Sequence, residues 1–195
     1  MNIFVLDEDP NVAASFLCDI HVNKMLLESA QLLCGAHRFL DGYPGLLLRK
    51  DGKIKPYPFI HDTDVTEDAY FTQGPLYLVS HPHHPSSKWL RESTGNYQWL
   101  LEHYYALCRQ YEKRFKKEHK TTQKMNEIKS LLDRSPNNLE DGPRRNFKAV
   151  MPEEFISGTD DSSVVESYQS YYRMKRDTML RFNYTESPVP EFLGD

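Results

Sequence analysis

The segment Cys18-Asp19-Ile20-His21-Val22-Asn23-Lys24-Met25-Leu26-Leu27-Glu28-Ser29-Ala30-Gln31 decides the fold and carries the first candidate site. On a helix turning about 100° per residue, four polar side chains share one sector roughly 100° wide: His21, Lys24, Glu28 and Gln31. Most of the remaining circumference is apolar, so this narrow polar stripe indicates the wall of a cleft. A carboxylate, an amine and an imidazole one turn apart can transfer protons or attack a carbon centre. The alternative is a plain surface ion pair between Lys24 and Glu28, which are spaced i, i+4.

The sequence before and after this segment predicts a mainly α-helical protein. Residues 2–6 are apolar and form either a short strand or a tail buried against the core. The pair at 9–10, Asp-Pro, is a helix start, and the helical pattern then runs to about Phe39 and stops at the Asp-Gly pair 41–42. Asp19 can cap a second helix if the pattern breaks just before it.

Residues 43–80 differ in composition and predict an irregular insertion that contains a small β-hairpin with a primed turn at Asp51-Gly52. The elements expected after it are a helical region over about 86–117 that Gly95-Asn96 can kink, a helix over 122–133, a loop over 135–160, a helix over about 162–182 capped by Asp161 or Ser162, and an acidic tail over 184–195. We therefore expect a compact helical single domain over residues 1–195 with this one insertion.

Composition narrows the class of protein. The formal net charge of −4 excludes a generally basic nucleic-acid coat, so any nucleic-acid contact requires a local patch. The odd number of cysteines favours free thiols in a reducing compartment over a disulfide framework. Because no apolar run approaches about 18 residues and no charged segment precedes the apolar N-terminal stretch, we expect no membrane span and no signal peptide. A cytoplasmic monomer is the resulting expectation.

A second candidate site begins at His81-Pro82-His83-His84-Pro85-Ser86-Ser87, where histidines, hydroxyls and free backbone N–H groups meet at a predicted helix start. Such a start attracts phosphate, and an arginine one turn later can clamp the same group. The candidate substrate- and phosphate-binding residues are His83, His84, Ser86, Arg91 and Asn96. The alternative is a proline-stiffened loop that ends in an ordinary serine cap.

A metal alternative combines Cys18 and His21 with one of the histidines at 81, 83 or 84. These spacings match no compact zinc motif. We therefore expect no metal and no cofactor.

A third feature is the basic run over 109–124, which a second cluster over 144–148 follows. With the tyrosines and phenylalanines between them, these side chains can follow a phosphate backbone. The candidate DNA contacts are Lys113, Arg114, Lys117, Arg144 and Arg145. A helix face that is merely exposed to solvent has the same pattern of basic residues. Both interpretations, an exposed helix face and a nucleic-acid-binding surface, therefore stay open.

The order of these features resembles the pyrimidine-dimer DNA glycosylases of the T4 endonuclease V type. The first long helix of the phage enzyme carries an Asp-x-His element, and the catalytic glutamate follows seven residues after the histidine. Asp19, His21 and Glu28 have this spacing. Wider members of the family are similar around a glutamate followed closely by Ala-Gln, as at 28–31 here.

The resemblance continues towards the C-terminus in the same order. His83-His84-Pro85 is similar to an Asn-His-Pro element that opens the next long helix of the family, with histidine in place of asparagine. The stretch 151–155 is similar to a Pro-Gln-Glu-Phe stretch, and the tyrosines of 168–172 lie where the family ends in aromatic residues that help to bind DNA.

The resemblance implies a glycosylase, with or without lyase activity, that cleaves the N-glycosidic bond of a damaged or modified pyrimidine extruded from DNA. It implies that Glu28 is catalytic and that His21 orients it. The family's nucleophile is the α-amine of an N-terminal threonine exposed by removal of methionine, whereas this chain has Asn2 there and Leu27 in place of the family's arginine. Lys24 is the alternative amine.

Two other functions use the same residues differently. In the first, a related scaffold is a transferase or a hydrolase that modifies a DNA base or a free nucleotide. A non-enzymatic helical module can instead bind nucleic acid or an acidic partner through the basic run alone, and then changes at Glu28 have no effect. DNA with a damaged or modified base, or a nucleotide, is therefore the expected partner.

Overall fold

The computed structural model describes residues 2–194, and within this range the chain is mainly α-helical, as the sequence predicts. The helices are α1 Pro10–Ser15, α2 Asp19–Asp41, α3 Pro85–Leu90, α4 Thr94–Phe115, α5 Lys120–Asn126, α6 Lys129–Leu132 and α7 Asp161–Thr178. The strands are β1 Tyr43–Leu48, β2 Ile54–Ile60, β3 Val65–Thr66 and β4 Phe71–Thr72. Short 3-10 helices lie at Glu153–Phe155 and Glu191–Leu193.

The long helices α2 and α4 pack against each other, and α1 packs on α4. The apolar face that the sequence gives α2 is buried, including Val22, Leu26 and Leu33. Helix α1 starts as predicted, because the Asp9 carboxylate accepts hydrogen bonds from two free N–H groups of the first turn. Residues 3–6 form no strand but a buried segment, so the second of the two alternatives for this stretch is correct.

The predicted break between α1 and α2 is confirmed, but its cap differs from the expectation. Cys18 is the N-cap of α2, and its backbone N–H donates to the Tyr172 hydroxyl at 2.8 Å. Asp19 lies in the first turn instead, where its carboxylate accepts from the backbone N–H of Thr185 at 3.1 Å and from the hydroxyl of Thr185 at 2.7 Å. The acidic segment at the C-terminus is thereby anchored to the start of α2.

The insertion contains a four-stranded sheet with the strand order β2-β1-β4-β3. Strand β1 pairs antiparallel with β2, as the hairpin prediction requires, and parallel with β4. The turn is closed by a hydrogen bond from the Gly52 N–H to the Arg49 carbonyl at 2.9 Å. Gly52 has φ +77° whereas Asp51 has no positive φ, so the turn is of type I with a left-handed glycine after it. The prediction of a primed turn is therefore wrong.

A buried ion pair joins this insertion to α2. Arg38 and Asp64 are both 0% exposed in their side chains, and their two hydrogen bonds are 2.8 Å and 2.7 Å long. The guanidinium also donates to three backbone carbonyls of the insertion, those of Phe59, Leu76 and Tyr77. The hydrogen bonds to Arg38 and to two backbone N–H groups hold the pKa of Asp64 below its usual value despite its burial. Both charges are therefore fully compensated inside the protein.

The later helices begin and end close to the predicted positions. The second helical region breaks at 91–93, slightly before the expected kink, and Ser93 caps α4 through the Asn96 N–H. Helix α7 is capped by Asp160, one residue before the predicted cap. The region predicted as one helix over 122–133 is split into α5 and α6. Among the described residues, no helix has the length and apolarity that crossing a membrane requires.

The burial of neutral histidines predicts strong acid sensitivity. Burial lowers the pKa of His21 and of His37 to about 4 and that of His103 to about 3, from 6.5. The unfolded chain therefore binds more protons than the folded chain below pH 6.5. The free energy of unfolding is at its full value above this pH and decreases as the pH falls towards 4. At about 1.4 kcal/mol per pH unit and histidine, the free energy of unfolding should be about 6 kcal/mol lower at pH 5 than at pH 7.

Urea unfolding at pH 7.5, 6 and 5, followed by circular dichroism, measures this loss. His103→Phe should remove about a third of it, because neither ring nitrogen of His103 has a hydrogen-bond partner to lose. Equal free energies of unfolding at pH 5 and pH 7.5 would show that these histidines are not buried as described.

Candidate active site

Glu28 lies on the half-exposed side of α2, where the N-terminal segment crosses the helix. The backbone N–H of Asn2 donates to Glu28 Oε2 at 3.1 Å. The other carboxylate oxygen, Oε1, is 3.7 Å from Lys24 Nζ, and the exposed fractions of the two side chains are 61% for Lys24 and 15% for Glu28. The structure therefore brings together three of the predicted catalytic residues, with one mostly shielded carboxylate between two nitrogens.

Asn2 is held firmly in this position by the C-terminal third of the chain. Its side-chain amide donates to the carbonyl of Val150 at 2.8 Å, and its Oδ1 accepts from the backbone N–H groups of Ile3 and Phe4. The hydroxyl of Tyr168, on α7, lies 3.0 Å from the same oxygen. Phe4 has φ 53°, the left-handed kink that turns the chain into the core after Asn2. Met1, whose removal the family mechanism requires, lies outside the described residues.

His21 contacts Tyr172 and Phe4 among the described residues. Its Nδ1 lies 2.7 Å from the Tyr172 hydroxyl, and its ring stacks on Phe4 with a centroid distance of 4.8 Å. Phe4, in the N-terminal segment, thus covers one face of the His21 ring. Burial keeps the imidazole neutral, and its described contacts lend no support to the predicted role of orienting Glu28. Cys18 Sγ, 3.4 Å from the same nitrogen, is a buried thiol whose pKa is raised by burial.

The start of α3 is closed by its own side chains. His84 is the N-cap, and its Nδ1 accepts from the Ser86 N–H at 3.2 Å, while Ser86 itself is buried. Arg91 donates to the Pro82 carbonyl at 2.5 Å, and its guanidinium lies 3.6 Å from the centre of the Phe39 ring. These contacts stiffen the loop, as the non-functional alternative for this motif expects, but the helix cap is His84 and not the serine that this alternative predicts. The cavity beside Arg91 has a volume of only about 10 Å³, room for one water.

His83 and His84 remain accessible at this end of the site. His83 is exposed, and His84 is partly exposed. Burial lowers the pKa of His84, and the negative charge of Glu28 opposes this shift, so the two side chains lie within electrostatic reach of each other. His84 is therefore the part of the predicted phosphate site that the structure brings near the carboxylate.

Two predicted binding residues have structural roles instead. Asn96 is 0% exposed, and its side-chain amide donates to the Trp89 carbonyl at 2.6 Å and accepts from the Arg145 N–H at 2.7 Å. Arg114 is also buried, and its guanidinium donates to the carbonyls of Ser15 and Leu17 and to neighbouring side chains. Neither side chain can reach a substrate, so these two predictions are corrected.

The other predicted DNA contacts lie on the surface. Lys113 and Lys117 are exposed on and just after α4. Arg144 pairs with Asp161 at 2.7 Å, and Arg145 pairs with Glu140 at 3.5 Å with half of its side chain exposed. The arginines are therefore partly neutralised, which weakens the basic patch that the sequence predicts.

A groove begins one turn beyond Glu28, at the end of the polar stripe that predicts the wall of a cleft. It has a volume of about 430 Å³, within the size range of small-molecule sites. It runs from Gln31 to the hairpin turn and is lined by Gln31, Arg49, Lys50, Asp51, Gln73, Tyr77 and Leu78. The residues of the insertion that line this groove were not predicted, because their distance from α2 depends on how the insertion folds back.

Comparison with models of known protein families found no match, and comparison with curated proteins and with solved structures found none either.

Proposed function

We propose that this protein is a DNA glycosylase that releases damaged or modified pyrimidines, with Glu28 as its central catalytic residue. The observation that carries the proposal is the pair of nitrogens at the Glu28 carboxylate, 3.1 Å away for Asn2 and 3.7 Å away for Lys24. Loss of a base leaves positive charge on the sugar, and a shielded carboxylate stabilises such charge more strongly than one in water. The order of motifs shared with the pyrimidine-dimer glycosylases supports the same reaction.

Either nitrogen can supply the nucleophile for a covalent route. Removal of Met1 would turn the backbone nitrogen of Asn2 into an α-amine at its present distance from Glu28. Lys24 needs no processing and is one helical turn from the carboxylate. In both cases the amine nitrogen bonds to C1′ as the bond from C1′ to the base breaks. Glu28 accepts the proton that the amine loses, or stabilises the positive charge that develops on the sugar.

The groove beside Gln31 is suited to the extruded nucleotide. Its volume of about 430 Å³ accommodates a nucleotide, and Arg49 and Lys50 at its rim supply positive charge for a phosphate. The amides of Gln31 and Gln73 can pair with the hydrogen-bonding edge of a base. Tyr77 offers an aromatic ring for stacking.

A panel of oligonucleotides tests this proposal. Duplexes that carry pyrimidine dimers, oxidised pyrimidines or hypermodified pyrimidines, one lesion each, are incubated with the protein, and free base is measured by mass spectrometry. We expect base release from at least one modified pyrimidine and none from unmodified duplex. Borohydride then distinguishes the routes, because a trapped protein–DNA adduct indicates an amine nucleophile and release without trapping indicates water.

The formal net charge of −4 and the ion-paired arginines favour a second candidate, an enzyme that modifies or hydrolyses a free nucleotide in the same groove. It predicts turnover of a modified pyrimidine nucleotide and none of the oligonucleotides. Absence of turnover with both substrate classes would contradict both enzyme proposals.

A further inference from the structure

We propose that His37, Asp41 and His61 form a binding site for a divalent transition metal, zinc being the best match. His37 and Asp41 lie one turn apart at the end of α2, and His61 follows directly after β2. Each residue offers one ligand atom, and these atoms lie within 4.8 Å of one another. The site is separate from the residues proposed for base release.

The hydrogen bonds around His37 leave one ring nitrogen ready for a ligand. The Tyr97 hydroxyl donates its single proton to the Leu132 carbonyl at 2.9 Å, so its oxygen accepts from His37 Nε2, also at 2.9 Å. The proton of neutral His37 is therefore on Nε2, and Nδ1 carries a bare lone pair. Nδ1 is buried and has no hydrogen-bond partner, which a native protein rarely tolerates. A metal ion at this position would satisfy it.

The other two ligands are held by neighbouring groups, as metal ligands commonly are. Thr63 holds His61, because its backbone N–H donates to His61 Nδ1 at 3.2 Å and its hydroxyl oxygen lies 3.2 Å from the same nitrogen. The proton of the neutral ring is therefore on Nε2, and binding of a metal through Nε2 requires this proton to move to Nδ1, where the Thr63 hydroxyl can accept it. The Asp41 carboxylate accepts from the backbone N–H of Asn137 at 2.8 Å and from both the backbone N–H and the side-chain amide of Asn138 at 3.0 Å. A carboxylate has about four lone-pair sites, so one is left for an ion, and the partial exposure of Asp41 gives that ion a path from solvent.

The charges also suit a cation. The nearby positive charge of Arg38 is neutralised by its pairing with Asp64. Two imidazoles and one carboxylate are ligands that zinc and ferrous iron accept, and three protein ligands leave room for water. Ligand atoms around tetrahedral zinc lie about 3.4 Å apart, so binding requires ligand atoms that lie within 4.8 Å of one another to approach by up to about 1.4 Å.

Metal binding to the full-length, chelator-treated protein tests this proposal. We expect one Zn²⁺ per chain by isothermal titration calorimetry, a higher thermal midpoint with Zn²⁺, and no effect of Mg²⁺. The variant carrying D41N and H61A should bind Zn²⁺ at least about 100-fold more weakly, whereas H83Q, which changes an exposed histidine outside the cluster, should bind like the wild type.

A measurement on the wild-type chain covers the case in which the double variant does not fold. Co²⁺ should give visible absorption bands of a low-coordinate nitrogen and oxygen site, and one equivalent of Zn²⁺ should abolish them. Absence of these bands, or Zn²⁺ affinity equal in the folded double variant and in H83Q, would overturn the proposal.

Discussion

Replacement of Glu28 by glutamine should lower the rate of base release by about 1,000-fold and leave the affinity for DNA within about threefold of the wild type. Glutamine has the same size and keeps an oxygen that can accept from the Asn2 N–H, but it has no charge for the sugar cation and no basic oxygen for a proton. General acid–base groups contribute about 10²–10⁴ in rate, and electrostatic stabilisers contribute similar factors. Single-turnover kinetics measures the rate, and fluorescence anisotropy measures binding.

Two control variants separate catalysis from binding. Glu112→Gln changes an exposed glutamate on α4 and should leave both quantities unchanged. The double change Arg49→Ala and Lys50→Ala at the rim of the groove should weaken binding and leave the maximal rate within a fewfold of the wild type. If Glu28→Gln retains more than a tenth of the wild-type rate, Glu28 is not the central catalytic residue. A purely binding module would show no base release in any of these variants.

The second large effect concerns the buried ion pair between α2 and the insertion. Arg38→Met should lower the free energy of unfolding by about 3–5 kcal/mol, because it leaves the Asp64 carboxylate buried without its countercharge. It also leaves the carbonyls of Phe59, Leu76 and Tyr77 without the donor that satisfies them. For a chain of this length, the expected fall in the thermal midpoint is about 6–20 °C.

The matched control is an ion pair of the same kind on the surface. Lys129 and Asp133 are 55% and 41% exposed and lie 2.6 Å apart at i, i+4. Lys129→Met should lower the free energy of unfolding far less than Arg38→Met does, because water solvates the carboxylate that remains. Differential scanning calorimetry compares the two variants with the wild type. Equal losses in both would mean that burial does not set the strength of the Arg38 pair.

Local signals in the sequence predicted the main elements of the fold. Asp9-Pro10 and the apolar pattern after Cys18 fix α1 and α2, because a cap and a helical period act within a few residues. The hairpin was predicted from Asp51-Gly52 in the same way, although only the glycine adopts positive φ. The turn type depends on both strands, and one dipeptide does not specify it.

The site was predicted less completely, because its contacts join distant parts of the chain. Lys24 and Glu28 share a helix, so their spacing was sufficient to place them together. Arg114 has the sequence neighbours of a solvated basic face, yet it is buried because the carbonyls of Ser15 and Leu17 come to lie beside it. His21 contacts Phe4 and Tyr172, which come from distant parts of the chain and which no helical wheel includes.

The anchoring of Asn2 means that the candidate site is completed only late in the synthesis of the chain. Asn2 and Glu28 leave the ribosome early, but Val150 and Tyr168, which hold Asn2 at the carboxylate, follow about 150 residues later. At about 5–20 residues per second, this delay is about 8–30 s. During that interval the contacts of Val150 and Tyr168 that hold Asn2 beside Glu28 have not formed. If the proposed function is correct, the nascent chain therefore cannot release bases from DNA until α7 has been made.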